Sequence, residues 1–181
     1  PSYRVRGTGD LPRPGSLRAN ALTYRPDPQR DFYVTSTIPV DSNRFVQRLS
    51  ADLALSRSRD LLVFVHGYNV SFEDAAVRAA QVAADLNFDG SVVLFSWPSA
   101  ASVTAYVRDQ QSARNAGFQL LRLLKNHAVA AQPDRVHLLG HSMGSEVIGK
   151  AMTLIAPGDS LLRLSEVVFA APDVDARVFR R

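Results

Sequence analysis

Hydrophobic residues fall into two patterns along this chain. At 61–65 (Leu61, Leu62, Val63, Phe64, Val65), within 91–96 (Val92 to Phe95) and within 166–171 (Val167 to Ala171) they form short continuous runs, as in strands covered on both faces. Val136, Leu138 and Leu139 form a fourth run. Between the runs, apolar residues recur every three or four positions, which is the period of one helical face. Phe72, Ala76, Ala79, Ala83 and Leu86 trace such a face after Ser71 and Asp74, a capping box. A longer helix is expected from about Thr104 to Ala128, with Ala113, Gly117, Leu120, Leu121 and Leu124 inward, ended by Gln132-Pro133-Asp134. Another carries Val147, Ile148, Ala151 and Ile155 on one side and stops at Pro157-Gly158-Asp159.

Upstream, residues 32–38 are β-branched and aromatic and predict a strand stopped by Pro39. Ser42 is expected to cap a helix in which Phe45, Leu49 and Leu53 recur every fourth residue. Four buried strands alternating with three helices predict an α/β fold. Its sheet is doubly wound and mostly parallel, with helices on both faces. Ligands of such sheets bind at the carboxyl ends of the strands. His66-Gly67-Tyr68, Trp97-Pro98-Ser99, Ser142 and Asp173 all fall there.

Composition narrows the class. Hydrophobic content of 46% and charged content of 21% suit one globular core. A chain of 181 residues leaves little room for a second domain. No run of apolar residues is long enough to span a membrane. There are no cysteines, so disulfides and thiol chemistry are excluded, while the compartment stays open. The net charge of +4 sits in residues 1–30, where six arginines face Asp10 and Asp27. Five prolines and three glycines make this stretch an arm or linker, with the domain over 31–181. The arm lacks the aromatic–basic interleaving of single-strand binders, so no nucleic-acid partner is expected. No HExxH or comparable ligand spacing appears, so neither a metal nor another cofactor is expected.

The chemistry concentrates at 136–147. Gly140-His141-Ser142-Met143-Gly144 is a G-x-S-x-G motif between an apolar strand and a helical pattern, the nucleophile elbow of serine hydrolases. The sharp turn strains the serine and lifts its hydroxyl clear of the sheet, and the glycines avoid collisions across the turn. The next backbone N–H, that of Met143, is then an oxyanion donor. Tyr68, which follows the His66-Gly67 pair, supplies the second. His66 is read as a buried histidine that holds its loop. Asp173 and Asp175 are candidate acids, with a turn-forming pair as their alternative. The four histidines are His66, His127, His137 and His141, and none follows Ser142. His127 reads as a helix-end residue, His137 lies within the elbow strand, and His141 packs beside the nucleophile. The catalytic histidine is therefore expected beyond Arg181, which makes the domain incomplete at its C-terminus.

The strings LLVFVHGYNVSFEDAA (61–76), VVLFSWPS (92–99), GHSMG (140–144) and VVFAAPDVDARVF (167–179) together resemble a bacterial family. It belongs to the α/β-hydrolase superfamily and is catalogued as domain of unknown function 900, with predicted esterase or lipase activity. The resemblance covers about residues 31–181. It implies Ser142 as nucleophile and the HGYN loop as its oxyanion side. Family members continue with two further strands that bring an aspartate and then the histidine, which leaves the acid open between Asp173, Asp175 and a position beyond Arg181. The resulting expectation is a serine hydrolase for a small ester or lipid, acting through an acyl-enzyme on Ser142. Its alternative is a hydrolase-like domain that binds without catalysis.

Overall fold

A computed structural model describes residues 32–99, 106–156 and 159–173. The arm at 1–30, the expected helix start at Thr104, the Pro157-Gly158 stop, Asp175 and the segment before Arg181 lie outside the described residues. Four strands form one parallel sheet: β1 (Asp60–Val65), β2 (Gly90–Phe95), β3 (Val136–His141) and β4 (Leu164–Ala170). Their order across it is β2-β1-β3-β4. The helices are α1 (Ser42–Leu55), α2 (Phe72–Asp85), α3 (Tyr106–Leu123), α4 (Val129–Ala131) and α5 (Gly144–Thr153). A π-helical turn, Leu124–Ala128, joins α3 to α4, and a 3-10 turn, Ser160–Leu162, precedes β4.

Chain direction across the sheet reverses between β1 and β3. From β1 the chain runs outward to β2, crosses back to β3, and continues to β4. Right-handed crossovers then put α2 on one face and α3 and α5 on the other, where α3 and α5 pack together. Burial along β1 agrees with two covered faces, since all six residues are buried. Leu61, Val63 and Val65 join the main core with residues of α1, α3 and α5. Leu62 and Phe64, which point the other way, are buried outside that cluster, as are Ala75 and Ala79 of α2.

Several sequence expectations need correction. Residues 32–38 form no strand; Ile38 is 63% exposed. Strand propensity measures fit to a half-buried pleated surface, and among the described residues no strand pairs with this segment. The cap of α1 is Asp41, whose carboxylate accepts the Arg44 N–H at 2.8 Å, and not Ser42. Ser71 does cap α2, accepting the Asp74 N–H at 3.1 Å. On α2 only the middle of the predicted stripe is covered: Ala79 is buried, but Phe72 and Leu86 at the two ends are exposed. β4, expected to be covered on both faces, is an edge strand with every residue at least partly exposed.

Candidate active site

The sheet reverses between β1 and β3, and the carboxyl ends of the strands at such a reversal are the usual ligand position in an open α/β sheet. The register pairs Val65 with Gly140 and His141 with Ala170. The His66–Asn69 loop and the Ser142 turn therefore emerge side by side. Ser142 has φ 52°, in the left-handed region, and is half-buried. For a residue with a Cβ this costs about 1–3 kcal/mol. The strain is held by backbone bonds: the Ser142 N–H donates to Ala170 O at 2.9 Å, and the Ser142 carbonyl accepts from Ser145 N at 2.9 Å and from Asp173 N at 3.3 Å.

Three glycines make the turn possible. A Cβ on Gly140 would lie 3.0 Å from the Ser145 N and Cα, across the turn as the sequence predicts. Gly144 is small for a different reason: its Cβ would collide with the Val65 carbonyl and lie 2.6 Å from that of His66. Gly144 thus lets α5 start directly on β1. A Cβ on Gly67 would lie 2.9 Å from both Ser142 Cβ and the His141 carbonyl, so this loop touches the serine itself. Met143 is buried and stands at the N-cap of α5, with no side-chain cap bond. Its N–H belongs to the helix-terminal donors that have no intrahelical acceptor.

His66 is buried, 2% exposed, and both ring nitrogens are used. Nε2 accepts the Trp97 N–H at 3.1 Å, so Nδ1 carries the proton and donates to the Gly67 carbonyl at 2.9 Å. The Ser96 hydroxyl lies 3.3 Å from Nε2, and Trp97 Nε1 donates to the His66 carbonyl at 2.7 Å. The two rings stack at 5.3 Å. Burial lowers the His66 pKa, against the opposing pull of its backbone bonds and of Asp109. This is a neutral, loop-holding histidine.

The other three histidines do not reach the serine hydroxyl by hydrogen bond. His141 is exposed on one side and lies against Gly67 on the other; desolvation, then the Arg78 charge, lowers its pKa. His137 sits near the amino ends of the strands, 3.6 Å from Asp60 and 3.3 Å from Glu166. His127 falls in the π-helical turn, edge-on to Phe45, and its Nδ1 is buried without a hydrogen-bond partner.

Asp173 comes to the site through its backbone, but its carboxylate accepts the Tyr106 hydroxyl at 2.8 Å. That bond is the main cause of the raised Tyr106 pKa. Tyr106 in turn meets the Tyr68 ring edge-on at 5.4 Å. Sequence reading missed Tyr106, and also Asp109 and the role of Ser99. Asp109 carried a usable signal: it is an acidic residue in phase with the inward stripe of Ala113, Gly117, Leu120 and Leu124. Among the described residues no cluster of His, Cys, Asp and Glu is arranged to hold a metal ion. No helix among them is long and apolar enough to cross a membrane.

Searches of curated proteins and of solved structures give no match. A family model does match, over residues 41–181, and the chain belongs to that family, DUF900, described as an alpha/beta hydrolase of unknown function.

Proposed function

We propose that this protein is a serine hydrolase of carboxylic esters, acting on a small ester or lipid through an acyl-enzyme on Ser142. The observation that carries the reading is the left-handed Ser142 between Gly140 and Gly144 at the sheet's reversal point. In the proposed reaction Ser142 Oγ attacks the ester carbonyl as a base takes its proton. The N–H groups of Tyr68 and Met143 stabilise the oxyanion. Collapse expels the alcohol, which takes that proton, and water then hydrolyses the acyl-serine. Asp173 is the proposed acid on this side of the site.

The base is assigned outside these 181 residues. His66 has both ring nitrogens committed, and none of the other three hydrogen-bonds Ser142. Without its histidine a serine hydrolase loses about 10⁶ in rate, so this stretch alone is expected to be inactive. A second reading is a domain that binds ester-like ligands without turnover. It is favoured by the engagement of the Asp173 carboxylate with Tyr106 in place of a histidine. A fluorophosphonate probe separates the two. The full-length protein is expected to be labelled and its Ser142→Ala variant not. Absence of labelling where a control hydrolase reacts would refute the catalytic reading.

A further inference from the structure

We propose that Asp109, acting through Ser99, is a positioning residue that fixes the backbone carrying the Tyr68 N–H; the inference rests on the serine-hydrolase reading above. Asp109 lies in the first turn of α3 and is 1% exposed. The Ser99 hydroxyl donates to its Oδ2 at 2.8 Å, and Ser99 Oγ accepts the Asn69 N–H at 3.0 Å. The direction of this relay is fixed. A backbone N–H only donates, so Ser99 Oγ accepts from Asn69 and its own hydrogen is turned to Asp109 Oδ2.

The relay complements what His66 does one peptide earlier. The Gly67 carbonyl and the Tyr68 N–H belong to the same planar trans peptide and point in opposite directions. By binding the Gly67 carbonyl, the His66 ring turns the Tyr68 N–H away from itself. The Ser99 hydroxyl holds the following peptide by the Asn69 N–H, and Asn69 is left-handed, with φ 56°. Two consecutive peptide planes are thus pinned on either side of Tyr68. Both anchors depend on the segment after β2, where Trp97 holds the His66 ring and Ser99 holds Asn69 directly. Asp109 ties that segment to α3. An oxyanion donor needs such preorganisation, because it must be in place before the charge develops.

The test uses the full-length protein, a fluorophosphonate probe and a chromogenic ester, with Ser99→Ala, Ser99→Thr, Asp109→Asn and the double variant Ser99→Ala/Asp109→Asn. Ser99→Ala is expected to slow labelling and lower kcat about ten- to a hundredfold with KM unchanged, short of the 10²–10³ lost when a donor is deleted outright. Ser99→Thr, which keeps the hydroxyl, is expected to restore the rate to within about threefold. The double variant should be little slower than the worse single one, because both act on one relay. Thermal unfolding identifies any Asp109 variant that fails to fold, in which case Ser99→Ala with its threonine rescue decides. If folded Ser99→Ala labels at the wild-type rate, or raises KM with kcat unchanged, the inference is overturned and the serine-hydrolase reading stands. If the wild type itself is unlabelled, that reading fails and the inference falls with it.

Discussion

Replacing His66 by phenylalanine keeps a flat ring against Trp97 but removes both ring nitrogens. The Gly67 carbonyl then loses a donor at 2.9 Å and the Trp97 N–H an acceptor at 3.1 Å. Gly67 and Trp97 are both buried, so water cannot readily replace the lost partners. Each orphaned group costs about 1–3 kcal/mol, which puts the variant about 2–6 kcal/mol below wild type. For a chain of this size each kcal/mol moves Tm by about 2–4 °C, so even the lower bound is a fall of about 4 °C.

The same variant tests the charge state. A histidine in the unfolded chain titrates near 6.5, and burial holds folded His66 below that value. Between the two values the unfolded chain binds a proton that the folded chain refuses. Stability is therefore full above about pH 6.5 and falls as the pH drops below it. His141 contributes with the same sign, so the slope is read as the difference between wild type and His66→Phe. Thermal unfolding at pH 8 supplies the Tm, and urea unfolding from pH 8 to pH 5 supplies the slope, both followed by circular dichroism. A variant within 1 °C of wild type at pH 8, or one with an unchanged slope below pH 6.5, would refute the reasoning.

Two further outcomes follow from the site. Gly144→Ala drives a methyl group into the Val65 and His66 carbonyls, and overpacking of this kind costs about 1–3 kcal/mol; an unchanged Tm would show that α5 does not rest on β1 as described. Asp173→Asn removes the charge and weakens the bond that raise the Tyr106 pKa. One phenol in the spectrophotometric tyrosine titration should therefore move down towards the ordinary value, and an unmoved curve would separate Tyr106 from Asp173.

Features set by local steric and solvation rules were legible in the residue string. Continuous apolar runs located the four paired strands, although the ends shifted by one or two residues and 32–38 proved a false strand. Gly140-His141-Ser142-Met143-Gly144 declared its turn because only glycine tolerates the close approaches at its first and last positions. What remained hidden were contacts between residues distant in sequence. Asn69 lies 30 residues before Ser99 and Asp109 lies 10 after it, and nothing local marks them as partners. The buried acid in an apolar stripe was the one trace.

By itself the sequence determined the alternation of strands and helices, the sharp turn at 140–144, and the family to which residues 41–181 belong. Periodicity and turn chemistry are properties of neighbouring residues, so they survive without a fold. The tertiary structure alone decided that the sheet reverses between β1 and β3, that β4 is an edge, that His66 is committed to the backbone, and that the Asp173 carboxylate is held by Tyr106. Each depends on which strands lie side by side. Hydrogen bonds across such neighbours follow from the packing of the whole sheet and leave no mark at either residue alone.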